Sequence, residues 1–367
     1  MPYRSRDALI PSNCQHKSLG CGWLEWWNSL AAVATIAAAL FTAGCSPTLA
    51  QNLHEITVTQ NSPEAVAFLP IYIARFNHYF EDEGFHVNLL ITNGGGPDIA
   101  ALISGQAQFS AGGPINQLAL FQQGQRTLSV ASFFDRLIVN LVIDKDVYDV
   151  KKLGSLPVDE RIKALKGLRI SVTRLGSLTD MVARAYLRRA GLDPQKDAKI
   201  VATSSGAPQV AALMQKEVDA VSATTPAAEE MVTRGAGIML VNNTRGEDPF
   251  FEPFTEQSIL VMPNWARQNP DLVKAFLRAI LKSEAWAHEH SAEEAAEIMQ
   301  SFVPALDVKA LADQVALIKD GIPTSSCMSQ KGVEANFKLF EAAGLLTKPM
   351  QWTDIATNEY LPHACAP

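Results

Sequence analysis

From Glu55 onward, short apolar runs alternate with amphipathic stretches, the pattern of open α/β sheets whose strands are joined by helical crossovers. The apolar positions predict strands near residues 55–60, 85–92, 107–111, 127–133, 137–143, 168–173, 199–203, 218–222, 238–242 and 257–262, with helices between them. After Pro263 the pattern turns wholly helical. Asn269 is expected to cap a helix with Pro270 in its first turn, Leu272, Val273, Phe276, Leu277, Ile280 and Leu281 share one face, and Ser291 with Glu294 forms a capping box.

The segment 74–110 condenses helix, strand, glycine turn, helix and strand into one stretch. Phe76, Tyr79 and Phe80 are expected to close one amphipathic helix that stops at Gly84, a residue free to take a left-handed turn. Phe85, Val87, Leu89 and Ile91 then alternate with His86, Asn88 and Leu90. Gly94, Gly95, Gly96 and Pro97 turn the chain into the next helix, where Asp98 complements the helix dipole.

The order of these pieces, YF followed by three acids and Gly84, a strand, GGG, then ALISGQAQF, resembles the solute-binding proteins of ABC importers. It is most similar to the group serving nitrate, sulfonate, taurine and thiamine-precursor uptake. The segments 166–194, 207–221 and 269–287 match that family in the same order, so the resemblance spans about residues 51–300; Gln108 stands where the family often has Asp, and no role is carried there. The resemblance implies a bilobed type II periplasmic-binding-protein fold: residues 51–135 plus 250–367 as lobe 1, 136–249 as lobe 2, and two crossing segments as a hinge. It also implies an ABC permease as partner and a monomeric chain.

The 367 residues carry a formal charge of −7, and removal of residues 1–50, with three basic and two acidic groups, leaves −8. A net acidic chain without basic runs argues against nucleic acid as a partner. Residues 1–50 read as an export signal, with a basic start and an apolar core from Leu30 to Gly44. Two processing routes stay open: a lipobox-like LFTAGC with Cys45 as lipidation site and membrane anchor, or ordinary cleavage after Ala50. Export to the periplasm or to the outer face of the membrane places Cys327 and Cys365 in an oxidising compartment, where they are expected to form a disulfide.

In doubly wound sheets, ligands sit beyond the carboxyl ends of the strands where the winding reverses. Following each strand to that end selects Asn61 and Ser62, Gly95, Gly113 and Asn116, Arg174, Gly176 and Ser177, and Thr224 and Thr225 as ligand-binding candidates. Ser177 stands where a helix begins, offering a hydroxyl and first-turn amides to an anion or carbonyl; with Asp180 it also makes an ordinary Ser-x-x-Asp cap. Arg136 is a second candidate cation, Glu229 reads as a solvated first-turn acid, and Phe250, Phe251 and Phe254 read as hinge packing. His288 and His290, two apart on a helix, point away from each other and cannot share a metal.

GxSxG, Walker, HExxH and CxxC motifs are absent from the sequence, so recognition without a cofactor or metal is expected rather than catalysis. Two alternatives remain: a pyrimidine-forming enzyme of the thiamine-synthesis type, which the resemblance brings with it, and an extracytoplasmic sensor subunit. The helix N-termini and uncharged polar loops favour a small anionic or heterocyclic solute: a sulfonate, nitrate, a carboxylate or a pyrimidine.

Overall fold

The computed structural model describes residues 53–60, 63, 65–92, 95–304 and 306–365. The expected export signal with Cys45, and the candidates Asn61 and Ser62, lie outside the described residues.

Ten strands form two five-stranded sheets. The first joins β1 (His54–Gln60), β2 (Phe85–Ile91), β3 (Phe109–Gly112), β4 (Leu128–Phe134) and β10 (Gln257–Val261) in the order β2-β1-β3-β10-β4. The second joins β5 (Val139–Asp144), β6 (Arg169–Val172), β7 (Lys199–Ala202), β8 (Ala220–Thr224) and β9 (Gly237–Val241) in the order β7-β6-β8-β5-β9. All ten predicted strands are present within a few residues of their expected bounds.

The two orders match once the strand that follows a crossing is set apart: the other four run second, first, third, fourth in both sheets. In each sheet the fourth position is filled by a strand that follows a crossing from the other sheet: β5 after residues 135–138, β10 after 242–256. Each of these strands runs antiparallel to both neighbours, whereas β1 pairs parallel with β2 and β3, and β6 with β7 and β8. Every residue of β4 and β5 is buried. Burial along the whole of each strand reflects cover on both faces.

The helix expected to close with Phe76, Tyr79 and Phe80 is two helices, Leu69–Phe76 and Tyr79–Asp82, because His78 takes a left-handed conformation at φ 58° between them. The break turns Phe80 inward, where it stacks on Phe276 at 4.9 Å while Phe76 stays exposed; Phe276 also stacks on Phe109 at 4.0 Å. Helix Pro270–Glu289 thus packs on the first sheet through the apolar face read from its sequence. Asn269 precedes it without a side-chain cap, its amide donating instead to the Trp265 carbonyl, whereas Ser291 and Glu294 form the expected capping box. Asp98 stands in the first turn of helix Gly95–Ser104 as expected, where it is buried and accepts from Thr92, and burial raises its pKa to about 6.

The C-terminal region does not belong wholly to the first sheet. Helix Gln330–Ala342 packs against helix Pro114–Gln122 of the first and helix Leu178–Arg189 of the second, and Val333, Leu339 and Phe340 share a core with Tyr186 and Leu187. Cys327 and Cys365 are joined by a disulfide, with Cα atoms 5.7 Å apart.

Candidate functional site

The carboxyl ends of the parallel strands and the amino ends of β5 and β10 meet around a cavity of about 320 Å³. The first sheet contributes Ala65, Ala67 and Phe68 after β1, and Gly113, Ile115 and Asn116 after β3. The second contributes Thr173, Arg174, Gly176, Ser177 and Thr179 after β6, Ser205 after β7, and Thr224 and Thr225 at the end of β8. Ile138, Glu256 and Gln257 close it at the crossings. Of the described candidates, Gly113, Asn116, Arg174, Gly176, Ser177, Thr224 and Thr225 line this cavity; Gly95 opens helix Gly95–Ser104.

The loop after β6 is tied to itself. Gly176 adopts φ 78°, which an L side chain resists, and its amide donates to the Asp180 carboxylate at 2.8 Å. Ser177 accepts from the Asp180 amide at 3.4 Å and from Thr173 Oγ1 at 3.0 Å, and its hydroxyl pairs with that of Thr179 at 2.9 Å. Asp180 bonds Gly176 and Arg184 rather than the Ser177 amide, so the expected reciprocal box is a one-sided cap. The amides of Leu178 and Thr179, both on the cavity wall, head the helix without intrahelical acceptors. They, with the exposed Arg174, are the donors this wall can turn to a ligand.

Thr225 lies in a network below the cavity. Its amide donates to the Ile138 carbonyl at 3.0 Å, and its hydroxyl lies 3.0 Å from that of Thr244 and 3.2 Å from Glu229 Oε1. Asn140 joins the network with an amide 3.1 Å from the same Glu229 oxygen and 2.9 Å from Thr244 Oγ1. Glu229 is therefore not the solvated acid the sequence suggested: it is half-buried, and burial raises its pKa despite the Thr225 bond. Arg136 also departs from expectation, donating to the Thr244 carbonyl at 3.3 Å outside the cavity lining. Phe251 and Phe254 are buried against each other and Phe251 against Tyr186, as the packing reading required. His288 and His290 bond the carbonyls of Ile322 and Trp286 separately.

Gly113 has a steric reason to be glycine. A Cβ there would stand 2.4 Å from the Glu256 carbonyl oxygen, so the turn after β3 fits under the start of β10 only without a side chain. Glu256 is 6% exposed, its amide donates to the Phe134 carbonyl at 2.9 Å, and its Oε2 accepts from the Ile138 amide at 2.7 Å. One residue thus clasps both ends of the 135–138 crossing. Sequence reading by strand ends missed Glu256 and Gln257 because they precede an antiparallel strand, whose amino end is the one that faces the cavity. The polar pair immediately before the apolar run of β10 was the available signal. Phe68, Met181 and Ser205 were missed as well.

A family model described as NMT1/THI5 like matches residues 65–294. The putative binding protein YtlA of Bacillus subtilis (strain 168) is 21% identical over 301 residues, which are 80% of this chain and 85% of that protein. Among solved structures, the periplasmic nitrate-binding protein NrtA from Synechocystis PCC 6803 is similar with a TM-score of 0.62 at 14% identity, over 84% of this chain and 87% of that one. The alkanesulfonate-binding protein SsuA from Xanthomonas axonopodis pv. citri, bound to MOPS, gives a TM-score of 0.61 at 18% identity, over 83% and 98%. At these identities the likeness establishes the fold, the bilobed one of periplasmic binding proteins.

Proposed function

The chain belongs to the NMT1/THI5-like family, and on that premise we propose that it is an exported solute-binding protein. It captures a small anionic or heterocyclic solute between its two lobes and presents the closed form to an ABC permease. The observation that carries this reading is the cavity itself: both sheets line it, and it lies against the two crossings that join them. A ligand touching both walls favours closure by contacts that the open form lacks. In this reading the lobes are residues 51–135 plus 250–367 and 136–249, and the ligand-binding residues are Gly113, Asn116, Arg174, Gly176, Ser177, Thr224 and Thr225. The similarity to nitrate- and sulfonate-binding proteins supports the solute class and a periplasmic address. The residues on the cavity wall supply donors, hydroxyls and apolar contact, which suits recognition.

The test is a thermal-shift screen over nitrate, sulfonates, carboxylates, pyrimidines and flavins, followed by X-ray scattering. A solute that binds only the folded chain must raise its melting temperature, and a hit is expected to shrink the radius of gyration. A panel without a single stabilising compound, or a tight binder that leaves the radius unchanged, would defeat the proposal.

A further inference from the structure

Away from the cavity, the end of the chain folds back on the segment that leads into helix Gln330–Ala342, and three metal-ligating side chains meet there. Cys327, His363 and Cys365 each offer one atom, two sulfurs and a ring nitrogen, and these lie within 4.8 Å of one another. The sulfurs are joined as the disulfide, and His363 Nε2 stands 3.5 Å from Cys327 Sγ. With a Zn–S bond of about 2.3 Å and a Zn–N bond of about 2.0 Å, a sulfur and a nitrogen on one tetrahedral zinc ion are about 3.5 Å apart. The pair therefore already has the spacing of two zinc ligands.

Bonds independent of the disulfide hold these side chains in place. The carbonyl of the buried Ser326 accepts from the Ser132 amide of β4 at 2.8 Å, and its hydroxyl donates to Glu284 at 2.7 Å. On the other side of Cys327, the Met328 amide donates to Asn358 Oδ1 at 2.8 Å, and Asn358 Nδ2 returns a bond to the Met328 carbonyl at 3.0 Å. Tyr360 and Leu361, both buried in the first core, anchor the tail just before His363. Two adjustments remain. The Cys365 sulfur must swing to about 3.8 Å from its partner, the separation of two sulfurs on a tetrahedral zinc, and Cα atoms 5.7 Å apart leave room for it. The exposed His363 ring must carry its proton on Nδ1, giving up the 3.0 Å contact of Nε2 with the Ser325 carbonyl.

We infer that, with its two thiols free, this corner binds one zinc ion through Cys327, Cys365 and His363, with water in the fourth position. Two thiolates and an imidazole suit zinc, whereas calcium and magnesium require oxygen ligands. The thiols are free before oxidation, or after exchange with an external dithiol, which attacks one sulfur, reduces the S–S bond and leaves as its own cyclic disulfide. Zinc then displaces one proton from each thiol. Disulfide and zinc are thus mutually exclusive, and each staples the tail to the same loop.

The test uses the full chain carrying Cys14→Ser, Cys21→Ser and Cys45→Ser, so that Cys327 and Cys365 are its only cysteines. Reduced by a dithiol and desalted without oxygen, it is expected to take up one zinc per chain and to lose thiol reactivity toward an alkylating reagent as it does so. Zinc should also raise its melting temperature. The oxidised chain should show neither the uptake nor the shift, and calcium and magnesium should do nothing to either form. His363→Ala should weaken zinc binding at least about tenfold, a loss that removal of a mere hydrogen-bond partner of a metal ligand can cause. Cys365→Ser should weaken it further. A reduced chain that takes up no zinc, equal uptake by the oxidised chain, or unchanged affinity in His363→Ala overturns the site. So does a reduced chain whose circular dichroism shows that it has lost its helices, since zinc would then be held by an unfolded tail.

Discussion

Among the described residues, the first-sheet wall of the cavity presents alanine, phenylalanine, glycine and isoleucine with one side-chain amide, Asn116. The second-sheet wall presents the hydroxyls of Thr173, Ser177, Thr179, Ser205 and Thr224 together with Arg174. The walls divide the work that a ligand site requires: shape and apolar contact from one side, orienting polar groups from the other. The third party is the crossing between them, where Glu256 places a buried carboxyl. A substitution on the first wall should act mainly through fit, one on the second through polarity, and one at the crossing through proton binding and the hinge.

The largest effect is expected at the crossing. The folded state holds the Glu256 proton up to about pH 8, whereas an unfolded chain releases it near the ordinary value of 4.5. The folded chain binds more protons across that window, so stability falls as pH rises through it. At about 1.4 kcal/mol per pKa unit, Glu256→Gln should be more stable than the parent by as much as about 4 kcal/mol above pH 8. Near pH 4.5 the gain should vanish. Denaturant melts at both pH values decide it; a pH-independent difference would detach the proton from this residue.

Next comes the first wall. Gly113→Ala sets a Cβ against the Glu256 backbone, and overpacking of this kind costs about 1–3 kcal/mol. The loss should appear in melts made without any ligand. A variant as stable as the parent would show that the turn yields, and that the wall is softer than its packing suggests.

On the second wall, Ser177→Leu should weaken solute binding by about 1–3 kcal/mol, because it removes a hydroxyl and obstructs approach to the helix start. Ser177→Ala should instead cost about 1 kcal/mol of stability through the lost cap and less in affinity. If the two variants bind equally, the wall does not touch the solute here. The smallest effect belongs to Arg174→Ala, an exposed cation whose removal should cost under about 1 kcal/mol of affinity and less still at high salt. A loss insensitive to salt would mean that closure buries the guanidinium.

The comparison also explains which parts of the molecule were legible beforehand. The strands could be read because each carries an apolar run of the right length, and the second wall because its loops follow parallel strands, where glycine and hydroxyl residues gather. Glu256 and Gln257 were illegible for a geometric reason: the rule that ligands sit at carboxyl ends inverts for an antiparallel strand, and nothing local in QSILV announces its direction. Glu229 was misread because burial of an acid depends on partners from elsewhere, here Asn140. The break at His78 was hidden because a left-handed histidine is a response to packing, with Phe80 turned onto Phe276.

The matching layout of the two sheets has unequal consequences for a growing chain, because the crossing strand is made last in the first sheet and first in the second. All five strands of the second sheet lie within residues 139–241, so that sheet can pair as soon as its own segment has been made. In the first sheet β4 pairs with no strand but β10, and β10 is made more than a hundred residues later. Until then the run LSVASFF, buried at every position in the finished fold, has no strand to pair with. An apolar, uncharged strand with open edges is an aggregation hazard. Chains interrupted before residue 257 are thus expected to be the sticky ones, with the order of synthesis leaving the first lobe to be sealed last.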